Sequence, residues 1–272
     1  MKIFKVEKPI KLSKFLLERY GAELSYSTLQ KLIRNKDIKV DGKRVNKDVA
    51  LVIGQEITVY YDGEKSDIKP LFERDGVFVF YKSPTITSED FAFKVNKSYF
   101  GLELCHRLDR NTAGLLVFAN EKAYPEIIKA FKDRTVEKYY LAEVYGKMKK
   151  PSARLISYLV KDEEQATVKI YDNEVKGSVK IITEYQTVEE RAETTLLKVK
   201  LITGKTHQIR AHLAHVGNFI IGDNKYGDSE INKKFKTKRQ KLVAYSLKFN
   251  FEKNSPLYNI NGKEIKLEKV EI

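Results

Sequence analysis

Cys105-His106-Arg107-Leu108-Asp109-Arg110-Asn111-Thr112-Ala113-Gly114-Leu115-Leu116-Val117-Phe118-Ala119 begins as a cluster of polar and ionisable side chains and runs straight into five consecutive apolar ones. An apolar run of that length, without alternation, predicts a strand buried on both faces. Gly114 at its start allows a bend or a close backbone approach. The stretch therefore reads as a reactive loop held against a core strand. Asp109 lies between Arg107 and Arg110, and neighbouring positive charge favours the ionised carboxylate. That makes it a candidate nucleophile or electrostatic stabiliser.

Working outward, 272 residues suffice for a sizeable core, in one large domain and one small one. The composition is that of a globular chain, 42% hydrophobic and 32% charged, with a formal net charge of +14 that favours a polyanionic partner. A single cysteine excludes an intramolecular disulfide and a cysteine-based zinc cluster, and fits a reducing cytoplasm. The N-terminal charges are too closely spaced for a secretory apolar core, and no apolar run approaches membrane-spanning length.

Residues 1–62 read as a separate module. Leu12, Phe15, Leu16 and Leu17 predict one short helix. Leu29, Leu32 and Ile33 predict a second after an N-cap at Ser25 or Ser27. Asp37–Val45 alternates around Asp41-Gly42, a hairpin signal, and Val52–Tyr60 supplies another strand. The module holds 13 Lys and Arg against 8 Asp and Glu. Residues 63–70 are expected to be a linker, because 62–67 are polar and include a glycine. Residues 71–272 then form the larger domain. Its predicted elements are strands over Val77–Tyr81, Glu137–Gly146, Arg154–Val160, Thr167–Tyr171, Val179–Glu184, Thr195–Leu201 and Lys241–Phe251. Helices are expected over Lys122–Asp133 and from near His207, the latter capped by Thr206. Ile231–Lys241, with six basic residues and no acid, reads as a solvated loop whose charge suits RNA. The class expected is α+β: a small N-terminal module followed by a mixed, mainly antiparallel sheet with flanking helices.

His106-Arg107-Leu108-Asp109 with Gly114-Leu115-Leu116 resembles the signature of RluA-type pseudouridine synthases, with Ala113 where serine is usual. Two further strings resemble motifs of that family: Lys138-Tyr139-Tyr140-Leu141-Ala142, and Gly204-Lys205-Thr206-His207-Gln208-Ile209-Arg210-Ala211-His212, in which Lys205 replaces an arginine. Lys82-Ser83-Pro84 is an imperfect match to a third motif and reads as structural, while Gly217–Gly227 continues the likeness with Phe219 where proline is common. The resemblance implies isomerisation of uridine in RNA without cofactor or metal. Asp109 would be the catalytic carboxylate, Arg210 its partner, and Tyr140 the tyrosine that stacks on the uracil and takes the C5 proton. Arg107 would fill the space of the flipped base and Ile209 wall the pocket, with His106, Thr112 and Lys138 also facing substrate. Whether Asp109 attacks C1′, adds to C6 or assists proton removal at C2′ stays open.

Lys11–Leu16, Ser27–Arg34, Val40–Lys43 and Gly54–Ile57 together resemble the S4 RNA-binding domain, with Asp41 where asparagine is usual. The basic positions matching that family are Lys31, Arg34, Lys36 and Lys43, and Lys205 adds a phosphate contact in the larger domain. The implied partner is structured RNA, ribosomal RNA of the large subunit before transfer RNA, bound by a monomer in the cytoplasm. Two other classes fit some of these residues. One is a metal-dependent hydrolase using Asp109 with His106, His207, His212 and His215; the other is a non-catalytic RNA-binding or ribosome-assembly factor.

Overall fold

The computed structural model describes residues 1–21, 24–61, 68–237, 239–270 and 272. Stretch 62–67, where most of the expected linker falls, lies outside the described residues, as does Lys238 of the basic segment. The chain divides into two compact units. One comprises Met1–Ile68 with Glu89–Phe100, the other Lys69–Ser88 with Gly101–Ile272. A boundary at 63–70 assigns Glu89–Phe100 to the larger domain, but its contacts group it with the N-terminal residues; Ser27 Oγ, for example, donates to Asp90 Oδ1 at 2.6 Å.

In the first unit the elements are β1 (Lys2–Lys5), β2 (Ile10–Lys11), α1 (Leu12–Tyr20), α2 (Tyr26–Arg34), β3 (Ile38–Val40), β4 (Lys43–Arg44), β5 (Ala50–Leu51) and β6 (Glu56–Val59). Ser25 is the N-cap of α2, its hydroxyl accepting from the Thr28 N–H. The apolar faces of both helices, Leu12, Phe15, Leu16, Leu29, Leu32 and Ile33, are buried in one core with Ile38, Ile57 and Val59. Burial of each such side chain stabilises by roughly 1.5–3 kcal/mol, which lets so small a unit hold together. Asp41 and Gly42 have φ of 48° and 76°, both left-handed as a type I′ hairpin turn requires. Strand structure within the predicted 52–60 stretch is shorter than expected, because Val52–Gln55 forms the turn into β6.

The second unit continues with β7 (Phe72–Arg74) and β8 (Val77–Lys82). Helix α3 (Ser88–Asn96), which the sequence reading did not find, belongs to the first unit from Glu89 on. Then come β9 (Glu103–Leu104), β10 (Ala113–Ala119), α4 (Tyr124–Lys132), β11 (Val136–Tyr145), β12 (Ser152–Asp162), β13 (Thr167–Tyr171), β14 (Val179–Glu190), β15 (Thr194–Leu201), α5 (Gln208–His215), α6 (Ser229–Lys234), β16 (Leu242–Phe249) and β17 (Glu264–Lys266). The strands form one sheet in the order β13-β12-β14-β15-β11-β16-β10-β8-β7, with β9 beside β10 and β17 beside β16. Every residue of β10 is buried. Leu115, Val117 and Ala119 pack with Ile127 and Ala130 of α4, and Phe80 meets Phe118 edge-on at 5.3 Å on the alternate positions. The class is α+β with a mixed, mainly antiparallel sheet: β10 pairs parallel with β16, and the other pairings among the described residues are antiparallel. At Gly114 the two parallel strands come so close that a Cβ would lie 2.2 Å from the Ala244 carbonyl oxygen, and its φ is +127°.

Two local expectations fail. Thr206 does not cap α5; His207 occupies that position in a left-handed conformation, without a capping side-chain bond. The basic segment starts as a helix, because Asp228 accepts from the N–H groups of Glu230 and Ile231 and caps α6. No helix among the described residues is long and apolar enough to cross a membrane.

Candidate active site

The loop 105–112 is clamped from several sides. Ser88 Oγ donates to the Leu108 carbonyl and accepts its N–H, at 3.0 and 2.9 Å. Lys82, fully buried at the end of β8, donates to the carbonyls of Ser83, Ile86 and Arg110. Burial brings its pKa down to about 8, and the charge of Asp109 works against that fall. Arg110 Nε is taken by the Thr85 carbonyl. The backbone that carries Asp109 is thereby fixed on the edge of the core strand, with the carboxylate itself half-buried.

The opposing partner comes from α5. Gln208 is buried at its first turn. It donates to the Ile182 carbonyl and Thr183 Oγ1 and accepts from Thr203 Oγ1 and the Lys205 N–H, which fastens the helix start to β14. Two residues on, Arg210 Nη1 donates to Asp109 Oδ2 at 2.9 Å. Its other edge is occupied: Nε and Nη2 donate to Asp223 Oδ2 and Oδ1 at 2.7 and 2.8 Å. This is the bidentate geometry that suits guanidinium and carboxylate. Burial opposes the charge on Arg210, but the hydrogen bonds and attraction of Asp223, then Asp109, outweigh it and raise its pKa. For Asp223, burial is likewise overcome, by Arg210 and by the N–H groups of Lys225 and Tyr226, so its pKa falls. The site is therefore a line of three charges, carboxylate, guanidinium, carboxylate, in which only the outermost member is accessible.

Tyr140 is buried on β11 and shares a face with Ala142. A register shift against β16 falls between Tyr139 and Tyr140. Burial, and then the charge of Asp109, push its pKa well above the ordinary tyrosine value, so it is a neutral phenol close to the carboxylate. Ile209 is buried beside Arg210 in α5, whereas Arg107, Lys31, Arg34, Lys36, Lys43 and Lys205 are all exposed. Lys138 is half-buried, its ammonium over the Phe131 ring and beside Gly204. Its pKa is lowered by burial and by Arg134.

Two residues expected to face substrate are instead occupied in holding the loop. His106 Nε2 accepts the Val117 N–H and its ring lies 4.7 Å from that of Phe131. Burial, with help from Lys138, brings its pKa down to about 3. Thr112 is buried, and its hydroxyl accepts from Gln240 Nε2. The other histidines are also engaged: His212 by Thr183 and Ser157, His215 by Asp172, His207 by Tyr226. No three His, Cys, Asp or Glu side chains come together as a metal ligand set among the described residues. Asp223 and Tyr226 were not singled out from the sequence. The only signal for them was that 217–227 continued the family likeness.

Residues 82–215 match the family profile described as RNA pseudouridylate synthase. An uncharacterised RNA pseudouridine synthase of Aquifex aeolicus is 31% identical over 90% of this chain and 88% of its own. The ribosomal large subunit pseudouridine synthase C of Vibrio parahaemolyticus is 27% identical over 91% of this chain and 88% of its own. Among solved structures, human RNA pseudouridylate synthase domain containing 1 superposes with a TM-score of 0.64 at 21% identity, over 77% of this chain and 86% of that one.

Proposed function

The chain belongs to the RNA pseudouridine synthase family, enzymes that isomerise uridine within RNA; on that footing we propose that Asp109 is its nucleophile, that it needs no cofactor, and that its substrate is large-subunit ribosomal RNA. The observation that carries the reading is the Asp223–Arg210–Asp109 line. A nucleophilic carboxylate must stay deprotonated yet keep lone pairs free. Asp109 gives one oxygen to Arg210 and remains partly accessible, while Asp223 takes the rest of the guanidinium and holds it in place.

The reaction breaks the bond from ribose C1′ to base N1, turns the uracil, and rejoins it through C5. In this reading Tyr140 stacks on the extruded base. As a neutral phenol beside a carboxylate it is a poor base at rest. It takes the C5 proton only by giving up its own hydroxyl proton, and Asp109, released as a carboxylate when C1′ bonds to C5, is the acceptor beside it. Extruding the base costs a few kcal/mol in a duplex and less in a loop, and exposed Arg107 is suited to fill the gap. The N-terminal unit, read as an S4-like RNA-binding domain, presents Lys31, Arg34, Lys36 and Lys43 for phosphate contacts that position without reading sequence. The name of the Vibrio parahaemolyticus relative supports ribosomal RNA of the large subunit over transfer RNA.

Tritium release from RNA labelled at uridine C5 tests the proposal. Large-subunit ribosomal RNA should release label without added cofactor and in the presence of chelator, and transfer RNA should release little. Label lost equally from Asp109→Asn would end the nucleophile assignment, and a preference for transfer RNA would end the substrate assignment.

A further inference from the structure

His207 is the residue of this site that the reaction above leaves without a task, and its geometry is specific. It sits at the start of α5 with φ 53° and ψ 15°, a left-handed conformation that costs a non-glycine residue on the order of 1 kcal/mol or more and concentrates at functional positions. Among the described residues its ring has one polar contact, Nδ1 to the Tyr226 hydroxyl at 2.9 Å, and it meets the Tyr226 ring edge-on at 5.6 Å. The same hydroxyl accepts the backbone N–H of Val168 at 2.9 Å, and the Arg210 guanidinium lies 5.2 Å from the Tyr226 ring.

These contacts favour one arrangement of the protons. Val168 can only donate, so the phenolic oxygen receives there, and the acceptor in reach of its own hydrogen is His207 Nδ1. Nδ1 is then unprotonated, and a neutral imidazole carries its hydrogen on Nε2. An imidazolium would turn Nδ1 into a second donor aimed at the phenolic oxygen and remove the acceptor that Nδ1 offers the phenol hydrogen.

Resting on the reading of the site given above, we infer that His207 binds the target nucleotide, its Nε2–H donating to a carbonyl oxygen of the uracil, and that Tyr226 is the positioning residue which fixes that tautomer. The charged groups facing the ring are Asp109 from the loop before β10, Arg210 on its own helix, and Lys225 and Asp223 from the segment that follows. Burial lowers the pKa of His207; Asp109 and Asp223 oppose the fall, and Arg210 and Lys225 add to it. Neutrality has a chemical consequence. A cation here would compete with Arg210 for Asp109 and draw in phosphate, whereas a neutral donor suits a neutral carbonyl and leaves the carboxylate free to react.

The tautomer is read directly by two-bond proton–nitrogen correlation spectra of histidine-labelled protein, which has only four histidines to assign. His207 should show the Nε2–H form at pH 7. In Tyr226→Phe it should become a mixture of tautomers, with protonation moved upward in pH by about one unit. The acid limb of kcat/KM should move with it while the neutral plateau stays within about threefold; a merely structural role would lower the rate equally at every pH. His207→Gln, which keeps a side-chain N–H, should retain at least ten times the kcat/KM of His207→Ala. An Nδ1–H tautomer or an imidazolium at pH 7, or a His207→Ala variant as active as the parent, overturns the inference. A parent protein that releases no tritium from any uridine RNA would instead overturn the functional reading, whatever the spectra show.

Discussion

Replacing Asp223 with asparagine separates what holds the site together from what reacts in it. The carboxylate is fully buried, its side chain 0% exposed, and the Arg210 side chain is 7% exposed. The two Arg210 donors now meet two carboxylate oxygens. In Asp223→Asn one meets a carbonyl and the other a donating amide. Removing one partner of a buried ion pair costs about 3–5 kcal/mol. Because Asp109 remains beside the guanidinium, the expected loss lies at the lower end, about 3 kcal/mol, or roughly 6–12 °C in Tm for a unit of this size. Asp109→Asn should behave differently. Its side chain is 24% exposed and Arg210 keeps its bidentate partner, so about 1 kcal/mol or less is expected, with isomerisation abolished and RNA affinity kept. Asp223→Asn should slow tritium release by on the order of 10²-fold, since Arg210 is freed to swing its fork onto Asp109 and misplace it. Thermal melting by circular dichroism and tritium release on both variants give the comparison. A melting loss in Asp109→Asn equal to or larger than that in Asp223→Asn would refute the division of labour proposed for the three charges.

Tyr140→Phe should leave RNA affinity within about threefold and slow turnover after base detachment, as read by single-turnover tritium release; normal turnover would reduce Tyr140 to a stacking surface. Gly114→Ala sets a Cβ 2.2 Å from backbone at a φ of +127°, and overpacking with strain together cost about 3 kcal/mol or more, so the variant should melt at least roughly 6 °C lower or fail to fold; an unchanged Tm would show that β10 and β16 can separate. His106 and His212, brought down to about 3 and about 4 from 6.5 chiefly by burial, bind protons more readily when unfolded. Their contribution is therefore intact above pH 6.5 and is lost progressively as pH falls from there through about 4 for His212 and about 3 for His106; urea midpoints measured from pH 7 to 4 should fall steeply, and less so in His212→Asn. Alanine at Lys31, Arg34, Lys36 and Lys43 together should cut the salt slope of RNA binding by about 3, and an unchanged slope would remove the RNA-binding role of the first unit.

What could be read in the sequence was local. Five apolar residues in a row gave β10, Asp41-Gly42 gave its hairpin, and Ser25 gave a helix cap, each because the interaction is made within a few residues. The pairing of Asp109 with Arg210, 101 positions apart, was expected only because both lie in strings that resemble one family. Asp223 looked like any other acid, since nothing beside it in the chain shows that Arg210 will fork onto it. Thr206 is a better capping residue than histidine, yet it is displaced because the loop is fastened through Gln208. His106 and Thr112 lie in the same reactive string as Asp109, and only the packing of Phe131 and Gln240 shows that they serve the loop's own support.

The parallel partner of β10 is β16, which is also hydrogen-bonded to β11 on its other side. The reactive strand thus waits for a neighbour that the ribosome makes about 130 residues later. Contacts of such long range form slowly, and until they do Ala113 and Gly114, where β10 meets β16, lack that strand partner. A nascent chain long enough to include Asp109, Arg210 and Asp223 but short of Phe249 should thus be inactive and in need of chaperone cover. Activity would switch on only once the strand that closes the sheet has left the exit tunnel.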